Sequence, residues 1–329
     1  MTTAFVTGGT GFLGRRLIEV LVGRGWTVRA LHRSPADAAR LRNLGAEPAQ
    51  GDLTDAQSLR RGLAGAEVVF HAAALFTFWA PAADFERANV EGARHLLAAA
   101  QDEHVGRFVQ IGASGAVMGA PRPMTDVTED APLAFPSWAP YLASKARAQA
   151  LTLAADGVGG MRTAVVLPPM IWGAGMPMLE GLVADVRAGR FAWPGGGASR
   201  ISTAHVDNVC EAAILAAGRA PQDRAWGRAY FVTDGQTRTL REVLSAFLTA
   251  RGVEPRAASA PIPVAWAMAT LLEPLWRTFR LKGQPPLTRQ MLRMVGYDFT
   301  ISDQRAREDL GYRPVVSWAE GLAAMRGVS

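Results

Sequence analysis

Thr7-Gly-Gly-Thr-Gly-Phe-Leu-Gly14 follows the short apolar run Ala4–Thr7 and opens a helix-periodic stretch over Gly11–Arg24. In a turn between strand and helix, glycine permits the tight reversal, close backbone approach to a pyrophosphate, and close packing of helix on strand. The start of the helix then offers free N–H groups and the positive end of a dipole to phosphate. Thr7, Gly8, Gly9, Thr10, Gly11, Phe12, Leu13 and Gly14 are therefore the expected phosphate-binding turn. A glycine turn by itself says little. At the first strand–helix junction of an alternating chain, it says a great deal.

The alternation continues. Strands are expected at Ala4–Thr7, Thr27–Leu31, Val68–His71, Phe108–Ile111 and Thr163–Leu167, with a short one before Gly51. Helices are expected at Gly11–Arg24, Ala36–Leu44, Ala56–Leu63, Phe85–Glu103 and Tyr141–Ala155. This rhythm predicts an α/β fold, a Rossmann-type, doubly wound parallel sheet covered on both faces. After Leu167 the pattern degrades into loops at Pro168–Gly175 and Trp193–Gly197, with helices at Met178–Ala188 and Leu240–Arg251 and a strand at Ala229–Thr233. The expected organisation is a dinucleotide-binding domain from 1–168 with 203–234. A smaller discontinuous substrate-binding lobe, 169–202 with 235–329, has too few strands for a core of its own.

The 329 residues carry a net charge of +6. The arginines are dispersed and no basic run alternates with aromatics, which argues against nucleic acid as partner. The five histidines are scattered, so no metal site is expected. Cys210 is the only cysteine, which excludes an intrachain disulfide and fits a reducing compartment. With a strand beginning near Ala4 and no apolar run of membrane-spanning length, a cytoplasmic location is expected.

The second informative stretch is Tyr141-Leu-Ala-Ser-Lys145. A phenol and an ammonium four residues apart share a helix face. A free tyrosine near pKa 10 is a poor acid or base at neutral pH, and a neighbouring ammonium together with the nicotinamide charge is expected to lower that value. Only Lys145 and Lys282 are lysines among 35 basic residues. Guanidinium replaces a compact ammonium poorly beneath a phenol, so the lysine here is informative. Ser114, closing the fifth strand, is placed to hold a substrate oxygen. Ser114, Tyr141 and Lys145 are the expected catalytic set, around a hydride supplied by a cofactor.

Other residues are expected to line the cofactor. The second strand ends Arg29-Ala-Leu-His-Arg-Ser34 without the acid that binds an adenosine ribose. Arg33, helped by Ser34 or Arg40, could instead clamp a ribose 2′-phosphate. NADP(H) is therefore favoured over NAD(H). Asp52 and Leu53 belong near adenine, while Ala72, Ala73, Leu167 and Pro168 border the cleft.

With these motifs in place, the chain resembles the extended short-chain dehydrogenases/reductases, the NAD-dependent epimerase/dehydratase group, along essentially its whole length. The resemblance rests on the Thr7–Gly14 turn, Asp52, His71-Ala-Ala-Ala74, Asn89, Ser114, Tyr141 and Lys145. His205-Val-Asp-Asn-Val209 and Leu310–Gly321 are similar to late motifs of the family. It implies NAD(P) chemistry on a secondary alcohol or ketone, or sugar-nucleotide epimerisation and dehydration, with Asn89 among the cofactor-binding residues, and often pairing of two subunits. Pro285-Pro-Leu-Thr-Arg289 is similar to the 3β-hydroxysteroid and sterol dehydrogenase branch and to bacterial long-chain 3-oxo reductases. Two departures stand out: Leu167-Pro-Pro-Met-Ile-Trp-Gly173 replaces a common Arg-Pro turn, and Met118 replaces a frequent tyrosine.

Both departures remove polar contacts for a sugar. Phe76, Trp79, Met170, Trp172 and Trp193 are expected to line an apolar pocket for a steroid-like or long-chain substrate. The alternatives are a sugar-nucleotide epimerase or dehydratase, and a non-catalytic NADP(H)-binding assembly or sensor protein. Finally, the segment 261–282 has helically spaced apolar residues, interrupted by Pro274, and a basic end. It is expected to be either a lid over the pocket or a peripheral membrane contact.

Overall fold

A computed structural model of the chain describes residues 2–220, 222–255 and 258–327. The outermost positions of the two expected segments, 1 and 328–329, lie outside it. The first half alternates as β1 (Thr3–Thr7), α1 (Phe12–Gly23), β2 (Thr27–His32), α2 (Pro35–Asn43), β3 (Glu47–Gln50), α3 (Ala56–Leu63) and β4 (Val68–His71). Next, α4 (Ala82–Phe85) passes through a π-helical segment, Glu86–Glu91, into α5 (Gly92–Asp102). There follow β5 (Arg107–Ile111), a 3-10 turn at Ser114–Val117, β6 (Met124–Val127), α6 (Pro140–Ala154) and β7 (Arg162–Leu167).

Side-chain caps fix several of these boundaries. Ser34 accepts from Ala36 N to start α2, and Asp55 accepts from Gln57 N and Ser58 N to start α3. Each such cap is worth about 1 kcal/mol.

The second half contributes β8 (Met170–Trp172), α7 (Pro177–Arg187), β9 (Trp193–Pro194), β10 (Arg200–His205), α8 (Val206–Ala217) and β11 (Arg228–Phe231). It continues with β12 (Thr237–Thr239), α9 (Leu240–Ala250), β13 (Ser259–Ala260), α10 (Ile262–Thr278) and α11 (Arg289–Val295). The chain closes with β14 (Phe299–Ile301), α12 (Gln304–Leu310) and α13 (Trp318–Arg326).

Seven parallel strands form the main sheet in the order β11-β7-β5-β4-β1-β2-β3. The strands read as continuous apolar runs because both faces are covered. In β1, Ala4 and Val6 join the apolar layer beneath α1 and α8, while Phe5 joins the opposite layer with Leu59, Leu97 and Phe108. Leu17, Ile18 and Leu21 of α1 are fully buried, each contributing about 2 kcal/mol of apolar transfer. Strand order reverses between β1 and β4, whose carboxyl ends meet at the Thr7–His71 pair. That reversal opens a crevice for ligand.

The second half departs from expectation. A second sheet, β12-β10-β14-β6 with β8 on β10, has its own apolar layer built from Trp172, Leu179, Val183, Ile201, Val243, Phe247 and Met325. The expectation of too few strands for a second core was wrong. These strands are three to six residues long, too short to declare an alternating pattern. One of them, β6, comes from the first half, and β10 crosses the expected boundary at 203. Pro274 does not interrupt the late apolar segment either: α10 runs through it from Ile262 to Thr278.

Candidate active site

The glycine turn is shaped by contacts that only a missing side chain allows. Gly8 has φ +75°, and a Cβ there would lie 2.7 Å from Ala73 N and 2.8 Å from the Ala72 carbonyl carbon. A Cβ on Gly14 would overlap the Gly8 carbonyl. Thr7 Oγ1 shares a 2.8 Å hydrogen bond with His71 Nδ1 and accepts from Ala73 N, knitting the ends of β1 and β4 together. The helix α1 begins at Gly11 with no side-chain cap, and Thr10 and Gly11 are exposed. An open helix start above a side-chain-free cradle fits a pyrophosphate. Phe12 and Leu13, the first residues of α1, are partly buried against the two apolar layers.

His71 is packed. Burial, and then the Lys145 charge, push its pKa down to about 3, so it stays neutral.

At the other end of the crevice, Arg33 is 82% exposed, with its guanidinium 4.0 Å from Asp52. Asp52 accepts from Thr54 N and Thr54 Oγ1, which holds it below the usual carboxylate range. Leu53 packs over Gly92, and its carbonyl accepts from His95. Of Arg33's two expected helpers, Ser34 caps α2 and Arg40 turns to Asp37. A cavity of about 850 Å³ lies here, along the β3 edge, bordered by Arg29, Arg33, Asp52, Ser58 and Arg61.

Ser114, Tyr141 and Lys145 come together at the ends of β5 and β7. Ser114 N donates to Pro168 O at 3.0 Å, and Gly112 N to Val166 O, so Leu167-Pro168 backs the serine turn. That turn lies against α6, because a Cβ on Gly115 would meet Leu142 Cδ2 at 2.7 Å. Lys145 Nζ donates to Ile111 O at 2.9 Å, three residues before the serine. The Tyr141 ring meets Phe76 edge-on at 5.1 Å and Phe85 at 6.1 Å.

The protein's own groups do not supply the expected lowering of the phenol. Burial raises the Tyr141 phenol well above its ordinary value, and the lysine does not offset it. Burial likewise pushes Lys145 down to about 8. Desolvation disfavours the charged form of each group, and the ammonium is bonded to a backbone carbonyl.

Asn89 sits in the π-helical segment, a distortion often found at functional sites. Its amide accepts from Leu75 N and donates to Leu75 O and Ser144 Oγ, and Ser144 Oγ donates to Tyr141 O. The expected cofactor contact is corrected to a brace: every bond of this buried amide points into the protein, tying the 75–80 loop to α6. A second brace carried no sequence signal. Gln290 Oε1 accepts from Tyr141 N, an orphan donor at the start of α6, and its Nε2 donates to Thr77 O. Arg289 beside it forms a buried ion pair with Glu273 of α10.

With this geometry in hand, comparison with known proteins is decisive. The model of the 3-beta hydroxysteroid dehydrogenase/isomerase family matches residues 5–263. The chain belongs to that family. It is an extended short-chain dehydrogenase/reductase, a nicotinamide-dependent oxidoreductase acting on CH–OH groups. It is 42% identical over 323 residues to 4-hydroxy-2-methyl-3-oxo-4-farnesyl-3,4-dihydroquinoline-1-oxide ketoreductase of Stigmatella aurantiaca, covering 98% of this chain and 95% of that one. It is 33% identical to 2-alkyl-3-oxoalkanoate reductase of Stenotrophomonas maltophilia, covering 98% of both. Among solved structures, dTDP-glucose 4,6-dehydratase (DesIV) of Streptomyces venezuelae, with NAD and TYD bound, superposes with a TM-score of 0.74. Its identity is 25%, over 99% of this chain and 96% of that one.

Within this family member, the expected pocket residues separate. Phe76 is 45% exposed beside Tyr141 at the mouth of the site, and Trp79, half-buried on the same loop, carries Arg277 over its ring at 5.1 Å. Trp172 and Trp193 have no exposed surface, which corrects their assignment as lining residues. Trp172 stacks on Phe247 at 5.4 Å, touches Trp318, and donates to Asp234 at 2.6 Å. Trp193 packs on Phe191 and under Arg241. Met170 is half-buried in β8 against the same apolar layer. The motif His205–Val209 is likewise structural: Asp234 accepts from His205 N and Asn208, and Asn208 anchors Val315 and Val316. Cys210 is a buried core residue.

Proposed function

We propose that this protein is an NADP(H)-dependent reductase of a ketone carried on a steroid-like or long-chain molecule, with Tyr141 as the proton donor. The observation that carries the reading is the surroundings of the phenol: the exposed Phe76 meets the buried Tyr141 ring edge-on and the buried Phe85 packs on it, so the phenol is approached over apolar surface. The two relatives are named for ketones bearing farnesyl or alkyl groups, which supports the same class.

The Gly8–Gly14 cradle, the open start of α1 and the buried Lys145 fit a nicotinamide dinucleotide. When bound, that cofactor supplies the hydride. Tyr141, kept protonated by burial, gives its Oη proton to the forming alkoxide. Ser114 donates a hydrogen bond to the same oxygen and orients it. Lys145 keeps N–H groups beyond the one spent on Ile111 O for ribose hydroxyls and the phenol, and a value of about 8 lets it return a proton near neutral pH. Arg33, exposed at the end of β2, where the strand itself carries no acid, would turn from Asp52 to the ribose 2′-phosphate. We assign the dinucleotide to 1–168 with 203–234 and the substrate to 169–202 with 235–329, with β10 shared between them.

The test is NADPH oxidation against 3-oxosteroids, long-chain 3-oxo compounds and UDP-sugars. Turnover of an apolar ketone that falls by about 10³-fold in Tyr141→Phe, with NADPH affinity kept, is the expected result. Turnover of a UDP-sugar alone, or full activity in the variant, overturns it. Arg33→Glu should weaken NADPH far more than NADH; equal losses would remove the 2′-phosphate role.

A further inference from the structure

Six of the eleven large apolar side chains exposed among the described residues fall between Val264 and Leu281. Val264, Met268, Leu271 and Leu275 recur at helical spacing and share one face of α10. On the opposite face, Ala265, Ala269 and Glu273 are buried against the body. A helix that is apolar on both faces belongs between two apolar surroundings, and the fold supplies one of them. Phe279 and Leu281 extend the exposed surface past the helix end.

Charge says what the second surrounding is. From 261 to 284 the only acid is Glu273, and it is buried in its ion pair with Arg289. Exposed charge in this segment is therefore purely cationic: Arg277, Arg280 and Lys282. A second copy of the chain fits badly, because two such faces would bring six cations together with no acid between them.

We propose that α10 and the turn through Lys282 are the face by which this protein rests on an anionic lipid bilayer. Leu271, Leu275 and Phe279 enter the acyl boundary, and Arg280 and Lys282 sit among headgroup phosphates. No helix among the described residues is long and apolar enough to cross a membrane, so the contact is one of lying on the surface. The inner side of α10 touches the rim of the Tyr141 mouth: Trp266 meets Trp138 at 5.3 Å, Arg277 covers Trp79, and Arg289 leads to Gln290. A molecule dissolved in the bilayer then reaches Phe76 without crossing bulk water.

The experiment is flotation of the full chain with phosphatidylcholine vesicles, with and without about 30% phosphatidylglycerol. It needs no turnover, so its failure is separable from failure of the ketoreductase reading. Binding to the anionic vesicles about tenfold above the zwitterionic ones, falling at high salt, is expected. Leu271→Glu with Phe279→Glu should abolish it. Both positions are exposed, so melting temperature and NADPH affinity should hold. Arg280→Glu with Lys282→Glu should weaken anionic binding alone. Equal flotation on both vesicles, binding that survives the Leu271/Phe279 change, or a stable dimer split by that change in place of lipid binding would each overturn the proposal.

Discussion

In the turn after β1, Gly8 lies so close to β4 that a Cβ would come within 2.7 Å of Ala73 N. On α10, by contrast, the outer side chains of Val264, Met268 and Leu271 are about half or more exposed. One region is fixed by backbone meeting backbone, so any added atom is felt. The other is written in side chains whose outer surface is in solvent, and substitution there changes affinity for surroundings rather than the fold. The mouth of the site, Phe76 and Trp79, behaves like the second region although it stands beside a phenol held as firmly as the first.

The comparison can be broken at its strongest point. Gly14→Val should weaken nicotinamide cofactor binding by at least about 100-fold, because the Gly8 carbonyl must move out of the phosphate cradle. Fluorescence titration with NADPH measures it, and unchanged affinity would mean the turn yields after all. Next in size is a matched pair of tryptophans. Trp172→Ala should cost about 3–5 kcal/mol in chemical denaturation, with a cavity beside Phe247 and a lost bond to Asp234. Trp79→Ala should cost well under half of that and raise KM for an apolar ketone instead. Equal stability losses would erase the distinction between core and mouth.

The smallest effect sharpens the electrostatics. Lys145 has a folded value of about 8, below its ordinary one near 10.5. Between these values the unfolded chain binds more protons, so stability without cofactor rises with pH across that window. Lys145→Met should flatten the rise in melting temperature from about pH 8 to about pH 9.5 relative to the natural chain. A parallel slope in both proteins would mean the ammonium is solvated.

The sequence made the first half readable because β1, β4, β5 and β7 are apolar on both faces and their turns carry glycine where only glycine fits. The Ser114, Tyr141 and Lys145 spacing was readable for a similar reason, since four residues on a helix always bring side chains together. Trp172 and Trp79 could not be told apart, because one is defined by Phe247 and Trp318, distant in the chain, and the other by their absence. Gln290 was silent too: its two bonds reach back 149 residues to Tyr141 and 213 to Thr77, and no local pattern announces that. The second sheet escaped notice because three-residue strands leave almost no period to read.

Lysine scarcity has a practical consequence. Lys145 is buried beneath the site, whereas Lys282 is exposed on the turn that ends the cationic face. Apart from the terminal amine, an acylating reagent therefore meets one accessible side-chain amine on the whole molecule. Mass spectrometry of that single tag, with and without vesicles, reports on the α10 face without engineered labels. The buried Lys145, gaining reactivity only when α6 opens, supplies an internal clock for local unfolding in the same sample.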